Sequence, residues 1–194
     1  MLDNKKKEEL QKRIKEYLKR GIIKKEKDTT HAPFFLDNAR LSLDTAKILL
    51  KITKDDTLRK TLGAEGYNGS LWIVNSCYYS MFYMTRALLE KEGIKLNTDR
   101  SIHAVTFDAL VHFFYLTGKL EKKLIEDFAE SQEEAAETLG REKAKELIDS
   151  YFNEKDKRAR FTYETGMIAM QSKAETSFAR ASKFNEEIRK IIGK

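Results

Sequence analysis

Residues Tyr67 to Glu90, YNGSLWIVNSCYYSMFYMTRALLE, decide how the rest of the chain folds. Between Glu65 and Glu90 the single charged residue is Arg86, in a chain 35% of whose residues are charged. Aromatic residues crowd the same stretch: Tyr67, Trp72, Tyr78, Tyr79, Phe82 and Tyr83. At helical spacing Leu71, Val74, Tyr78, Met81, Thr85 and Leu89 share one face, and Trp72, Asn75, Tyr79, Tyr83 and Arg86 share the next. The remaining strip is small or apolar: Ile73, Ser76, Ser80, Met84 and Ala87. A helix without a charged face belongs inside protein. A stretch this long would also reach across a bilayer. Asn68, Gly69, Ser70, Asn75, Ser76, Ser80 and the tyrosine hydroxyls make it too polar for lipid. The stretch therefore predicts a central, surrounded helix and no membrane span.

The chain's 194 residues suit one domain with a sizeable core. MLDNKKKEELQKR at the start has no apolar signal region, and Cys77 is the only cysteine, so no internal disulfide forms. Both point to a cytoplasmic protein. One proline and 9 glycines leave few breakpoints. Helical spacing recurs in every long segment while period-2 alternation is scarce, so the predicted fold is all-α. The net charge of +6 is unevenly distributed: residues 1–30 carry 11 Lys and Arg against 6 Asp and Glu. The basic excess belongs to the N-terminal segment, which weakens any nucleic-acid argument drawn from the whole chain's charge.

Two parts follow. Residues 1–30 read as a basic helix, 4–20, with Leu10, Ile14, Tyr17 and Leu18 on one side and Gly21 as its stop, then a connector. That helix suits an RNA-phosphate contact, a partner-docking helix, or a solvated helix resting loosely on the domain. Residues 31–194 read as the bundle. Pro33 opens a helix over 33–53, with small Ala39 and Ala46 allowing close approach to the central helix. Lys54–Gly66 reads as a polar link. A third helix over 102–116 is capped by Asp99 or Ser101 and ends at Gly118. Residues 119–153 read as a helical insertion, an antiparallel pair broken at Gly140. After the link NEKDKRARFTYETG, a last helix runs over 170–192.

Three histidines and one cysteine are too few and too scattered for a structural zinc site. No Asp-rich loop, phosphate-cradling Gly motif or nucleophile elbow occurs, so no cofactor is expected. Cys77 reads as a small buried hydrophobe. What remains is Arg and His chemistry: a metal-independent RNase needs an acid–base group and a cation for the phosphorane charge. Arg100 and His103, three apart, share one helix start, and Arg86 can converge on the same end of the bundle. The competing expectations are a solvent-exposed His103, an Arg86 paired with Glu90 or a tyrosine hydroxyl, and a packed His112.

The run from Tyr78 to Leu120, YYSMFYMTRALLEKEGIKLNTDRSIHAVTFDALVHFFYLTGKL, resembles the HEPN superfamily. It is most similar to the small prokaryotic members paired with a minimal nucleotidyltransferase. YYSMF, the ALLEKEG helix end and His103 ten residues later carry the likeness. KRGIIKKEKDTTHAPFFLDNARLSLDTAKILL before it agrees, as does the Arg158-ARFT-Tyr163 element after it, so the likeness spans roughly 18–190. The resemblance implies an up-and-down bundle of four to five helices, a homodimer, and for many members RNase activity through Arg-x4–6-His. No arginine here precedes a histidine at that spacing, since Arg100 and His103 are too close. The implied function is therefore a non-catalytic subunit of a toxin–antitoxin-like pair. It would bind RNA, a nucleotide or a nucleotidyltransferase through Arg86, Arg100, His103, Arg158 and Tyr163, with the Trp72, Tyr79 and Tyr83 face as core and dimer interface. The alternatives are a divergent metal-independent RNase using His103 with Arg100 or Arg158, and a homodimeric scaffold without ligand.

Overall fold

The computed structural model describes residues 4–98, 101–151 and 157–193, without the side chains of residues 4 and 139–169. The fold is all-α. Among the described residues there are seven α-helices: α1 (Asn4–Lys19), α2 (Ala32–Lys54), α3 (Asp56–Thr61), α4 (Ser70–Lys91), α5 (Ile102–Leu110), α6 (Lys122–Tyr151) and α7 (Lys157–Ile192). A π-helical turn, Val111–Tyr115, continues α5. Strands β1 (Ile23–Lys25) and β2 (Ile94–Leu96) pair antiparallel, with Lys24 opposite Lys95. The stretch with a single charge between Glu65 and Glu90 forms α4, the helix its sequence predicts.

Four expectations about boundaries change. Within 119–151 the described residues hold one helix, α6, with no break at Gly140. A lone glycine costs a helix about 1 kcal/mol relative to alanine, too little to stop a run rich in Ala, Glu, Leu and Lys. The link before the last helix is likewise helical from Lys157, because its Lys, Arg and Ala favour helix despite their polarity. Ser101 precedes α5 in the left-handed conformation (φ 57°), so its hydroxyl makes no capping bond; Asp99 lies outside the described residues. The polar link after α2 contains α3, whose N-cap Asp55 accepts from the Leu58 amide at 2.9 Å.

The chain forms two compact units. One comprises 1–40, 80–129 and 184–194. Its core holds Phe114, Phe128 and Phe184, all fully buried, each contributing about 1.5–3 kcal/mol of hydrophobic stabilisation. Small residues bring its helices together. Ser80 Oγ donates to the Ala39 carbonyl at 2.6 Å, and Asn185 Nδ2 donates to Ser80 Oγ at 2.7 Å. Ala39, predicted to allow close approach, is fully buried there. The ribbon is extended by Glu26 N donating to the Gly93 carbonyl and Asn97 N to the Ile22 carbonyl, both at 2.8 Å. Gly93 sits at φ +69°, and a Cβ there would come within 2.7 Å of the Glu26 carbonyl oxygen.

The other unit comprises 41–79 and 130–183. Ala46, Ile73, Val74, Cys77 and Ala174 are fully buried in it. The Gly69 amide donates to Thr53 Oγ1 at 3.0 Å, closing the turn between α2 and α4. In this unit α6 and α7 are also joined by polar contacts. Glu134 accepts from Ser177 Oγ at 2.8 Å and from Arg180 at 2.9 Å, and Arg180 also reaches Glu130 at 2.8 Å.

Candidate functional site

Arg86 and His103 do fall in one cluster, in the first unit. Arg86 lies near the C-terminal end of α4, where its guanidinium sits 4.6 Å from the centroid of the Phe35 ring on α2. Phe35 stacks in turn on Tyr83, with centroids 6.5 Å apart and planes 24° apart. His103, in the first turn of α5, has its ring 4.5 Å from that of Phe82, which makes an edge contact with Tyr83 at 5.4 Å. Burial lowers the Arg86 pKa, opposed by the charges of Glu90 and Tyr83. Burial, then the positive charge of Arg86, lowers that of His103. The arrangement joins a desolvated cation to an imidazole held neutral at neutral pH.

Two expectations about these residues are corrected. His103 is half-buried rather than solvent-exposed. Arg86 rests on an aromatic face, while Glu90, itself buried, forms its ion pair with Lys95 of β2. Sequence reasoning missed Phe35 as the partner of Arg86, although Phe35 stands four residues before Ala39, on the same side of α2. Arg100 lies outside the described residues. Arg158 and Tyr163 fall on α7, but their side chains are outside the described set, so only Arg86 and His103 of the five expected residues are brought together here.

A different feature appears in the second unit. Trp72 and Tyr79 on α4 are 53% and 39% exposed, and Leu41 and Ile48 on α2 are 49% and 59% exposed. Each pair is spaced by seven residues, so each lies on one side of its helix. On α2, Leu41 and Ile48 stand two positions, about 200°, beyond the fully buried Ala39 and Ala46, on the outer side of that helix. The Trp72 and Tyr79 face is therefore not core of this chain, as the missing charge suggested. Trp72 and Tyr79 are partly exposed on that side of α4, while Asn75 between them is buried.

The basic N-terminal helix is docked rather than loose. Leu10 and Ile14 are buried, and Arg13 grips Asp108 of α5 with two bonds of 2.8 Å. Tyr17 Oη donates to the same carboxylate at 3.3 Å. Lys5, Lys12, Lys15 and Lys19 remain exposed on its outer side. Asp108 carried no sequence signal, standing as a single carboxylate in an apolar helix.

Cys77 is fully buried, and burial pushes its thiol up to about 12, so it is no nucleophile. Among the described residues no group of three His, Cys, Asp or Glu side chains could hold a metal ion, and no helix is long and apolar enough to cross a membrane. Comparison with family models, curated proteins and solved structures finds no match to this chain.

Proposed function

We propose that this chain is an interaction subunit: a non-catalytic, HEPN-type helical protein of a toxin–antitoxin-like pair. It acts as a homodimer that holds a minimal nucleotidyltransferase and takes RNA or a nucleotide. The observation that carries the binding reading is the exposure of Trp72 and Tyr79 along one side of α4 and of Leu41 and Ile48 along one side of α2. Exposed large apolar side chains lined up on a helix suit an interaction surface, and Trp and Tyr are the residues that most often anchor one. The order and spacing of YYSMF, ALLEKEG and the Arg158–Tyr163 element support the family. The contacts of His103 with Phe82 and of Arg86 with Phe35 fit packing and binding better than proton transfer.

Co-expression with the nucleotidyltransferase of a neighbouring gene tests the partner, and light scattering tests the homodimer. Leu41→Glu and Trp72→Ser should each abolish one or both associations while leaving the helical content intact. No complex at micromolar concentration rejects the partner. A wild-type monomer rejects the dimer, and a dimer that binds neither nucleotidyltransferase nor RNA leaves the plain scaffold.

One observation favours a second reading, a divergent metal-independent RNase. A neutral imidazole beside a guanidinium suits abstraction of a 2′-hydroxyl proton and stabilisation of the phosphorane charge. Cleavage of RNA in EDTA by wild type, His103→Ala, Arg86→Ala, Arg100→Ala and Arg158→Ala decides it. Equal activity in all five would mark a contaminant.

A further inference from the structure

The first unit contains a cleft of about 440 Å³ between the β-ribbon and the π-helical turn. It shares no residue with the Arg86–His103 cluster or with the exposed apolar residues of α2 and α4. One wall is the end of β1 and the residues just beyond it, where Lys25, Glu26 and Lys27 all line the cleft, with Glu92 beside them. The opposite wall is Phe113 and Phe114, with Lys119 just beyond the turn. Lys25 Nζ stands 5.7 Å from the Phe113 centroid and Lys119 Nζ 5.5 Å from that of Phe114. Lys119 is held there by Glu92 at 2.8 Å. Neither Lys25 nor Lys27 has a carboxylate partner among the described residues.

The walls are built from unusual backbone. On one side Gly93, without a Cβ, lets the Glu26 carbonyl approach and fixes where Lys25 and Lys27 emerge. On the other, the Leu116 amide reaches back five residues to the Val111 carbonyl at 2.9 Å. This π-turn, a feature frequent at functional sites, presents Phe113 to the cleft with His112 packed edge-on behind it at 4.7 Å. The buried Nδ1 of His112 has no hydrogen-bond partner among the described residues.

We propose that this cleft is a binding site for a diphosphate group, held by Lys25, Lys27 and Lys119. Ammonium groups are point charges that suit compact, highly charged phosphate oxygens without demanding a fixed fork geometry. Lys25 and Lys27 line one wall of the cleft and Lys119 the other, so a group with charge at two adjacent centres engages more than one of them, and a monoanion engages one. The volume lies in the range of small-ligand sites, so the diphosphate can arrive free, on a nucleotide, or at the 5′ end of an RNA.

Calorimetric titration of the full chain at low ionic strength, where exposed charges are least screened, tests this. The probes are inorganic phosphate, pyrophosphate, ADP and a 5′-diphosphorylated oligonucleotide. Pyrophosphate should bind more tightly than phosphate. Lys25→Gln and Lys27→Gln should each weaken it by about tenfold, whereas Lys12→Gln and Lys15→Gln on the outer side of α1 should not. ADP or the oligonucleotide binding tighter than pyrophosphate identifies the source. No binding of pyrophosphate, or equal weakening by the α1 variants, overturns the site and leaves diffuse charge attraction only. Thermal melts of the exposed-lysine variants should match wild type.

Discussion

The guanidinium of Arg86 lies 4.6 Å from the centroid of Phe35, the single charge between Glu65 and Glu90 resting on a ring from α2. This explains how a charge is tolerated in that helix: an aromatic face stabilises a partly desolvated cation by about 0.5–2 kcal/mol. The same charge also acts on His103.

Replacing Arg86 by Gln should therefore raise the His103 pKa toward its ordinary value, because the burial that also lowers it persists while the repelling charge is gone. A titration of the imidazole by NMR checks this. An unmoved His103 pKa would mean that Arg86 is not the cation it senses. Phe35→Leu should lower stability by about 1 kcal/mol and leave the helical spectrum unchanged.

Stability should fall with pH below the ordinary histidine range. His103 and His112 both have lowered folded-state pKa values, each through burial first and a nearby cation second, Arg86 and Lys25 respectively. Below an unfolded pKa of about 6.5 the unfolded chain takes up protons that the folded chain refuses. The contribution of these two histidines is thus present above that pH and lost as pH falls through their folded pKa values. Melts between about pH 7 and pH 5 should show a smaller decline in a His103→Gln, His112→Gln double variant than in wild type.

Gly93→Ala and Gly118→Ala separate two costs of a side chain at positive φ. Gly118, at φ +75°, has nothing within 4 Å of its would-be Cβ, so alanine there meets only the left-handed penalty, about 1–2 kcal/mol. Gly93 adds a 2.7 Å approach to the Glu26 carbonyl oxygen, which is backbone and cannot swing away. Its alanine variant should melt several degrees lower than that of Gly118. Equal melting would mean that the ribbon shifts without cost.

The central helix was legible because its chemistry is one-sided: a stretch with a single charge, in a chain dense with charge, has to be covered by protein. That argument established the helix but overreached at Trp72 and Tyr79, since absence of charge does not say whether the covering protein is the same chain. The β-ribbon was invisible because its strands are three residues each and are held by long-range pairing of Lys24 with Lys95, which leaves no alternation to read. Asp108 and Phe35 were missed for a related reason. Each acquires its role from a partner tens of residues away, Arg13 or Arg86, and local spacing carries no trace of that pairing.

Cys77 should resist alkylation in the native protein at about pH 8 and react fully after denaturation. Burial raises its pKa to about 12, with the Glu134 charge adding to the rise and Arg180 opposing it. Labelling of the native chain on the timescale of a free thiol would show that the core around α4 opens readily.

Arg180 and Glu134 give the sharpest test of what holds α6 to α7. Their side chains are only 8% and 10% exposed and lie 2.9 Å apart, so each charge depends on the other for its solvation. Replacing Arg180 by Met leaves the Glu134 carboxylate buried with Ser177 as its remaining donor, at a cost of about 3–5 kcal/mol. Glu134→Gln should cost less, because Arg180 keeps the more exposed Glu130 at 2.8 Å. Removing both charges, Glu134→Met with Arg180→Met, takes away the desolvation penalty together with the attraction, and such replacements are often neutral or stabilising. The double variant should therefore be more stable than Arg180→Met alone. A double-mutant cycle by urea unfolding measures the coupling, and additive losses would show that the pair contributes only as two independent side chains.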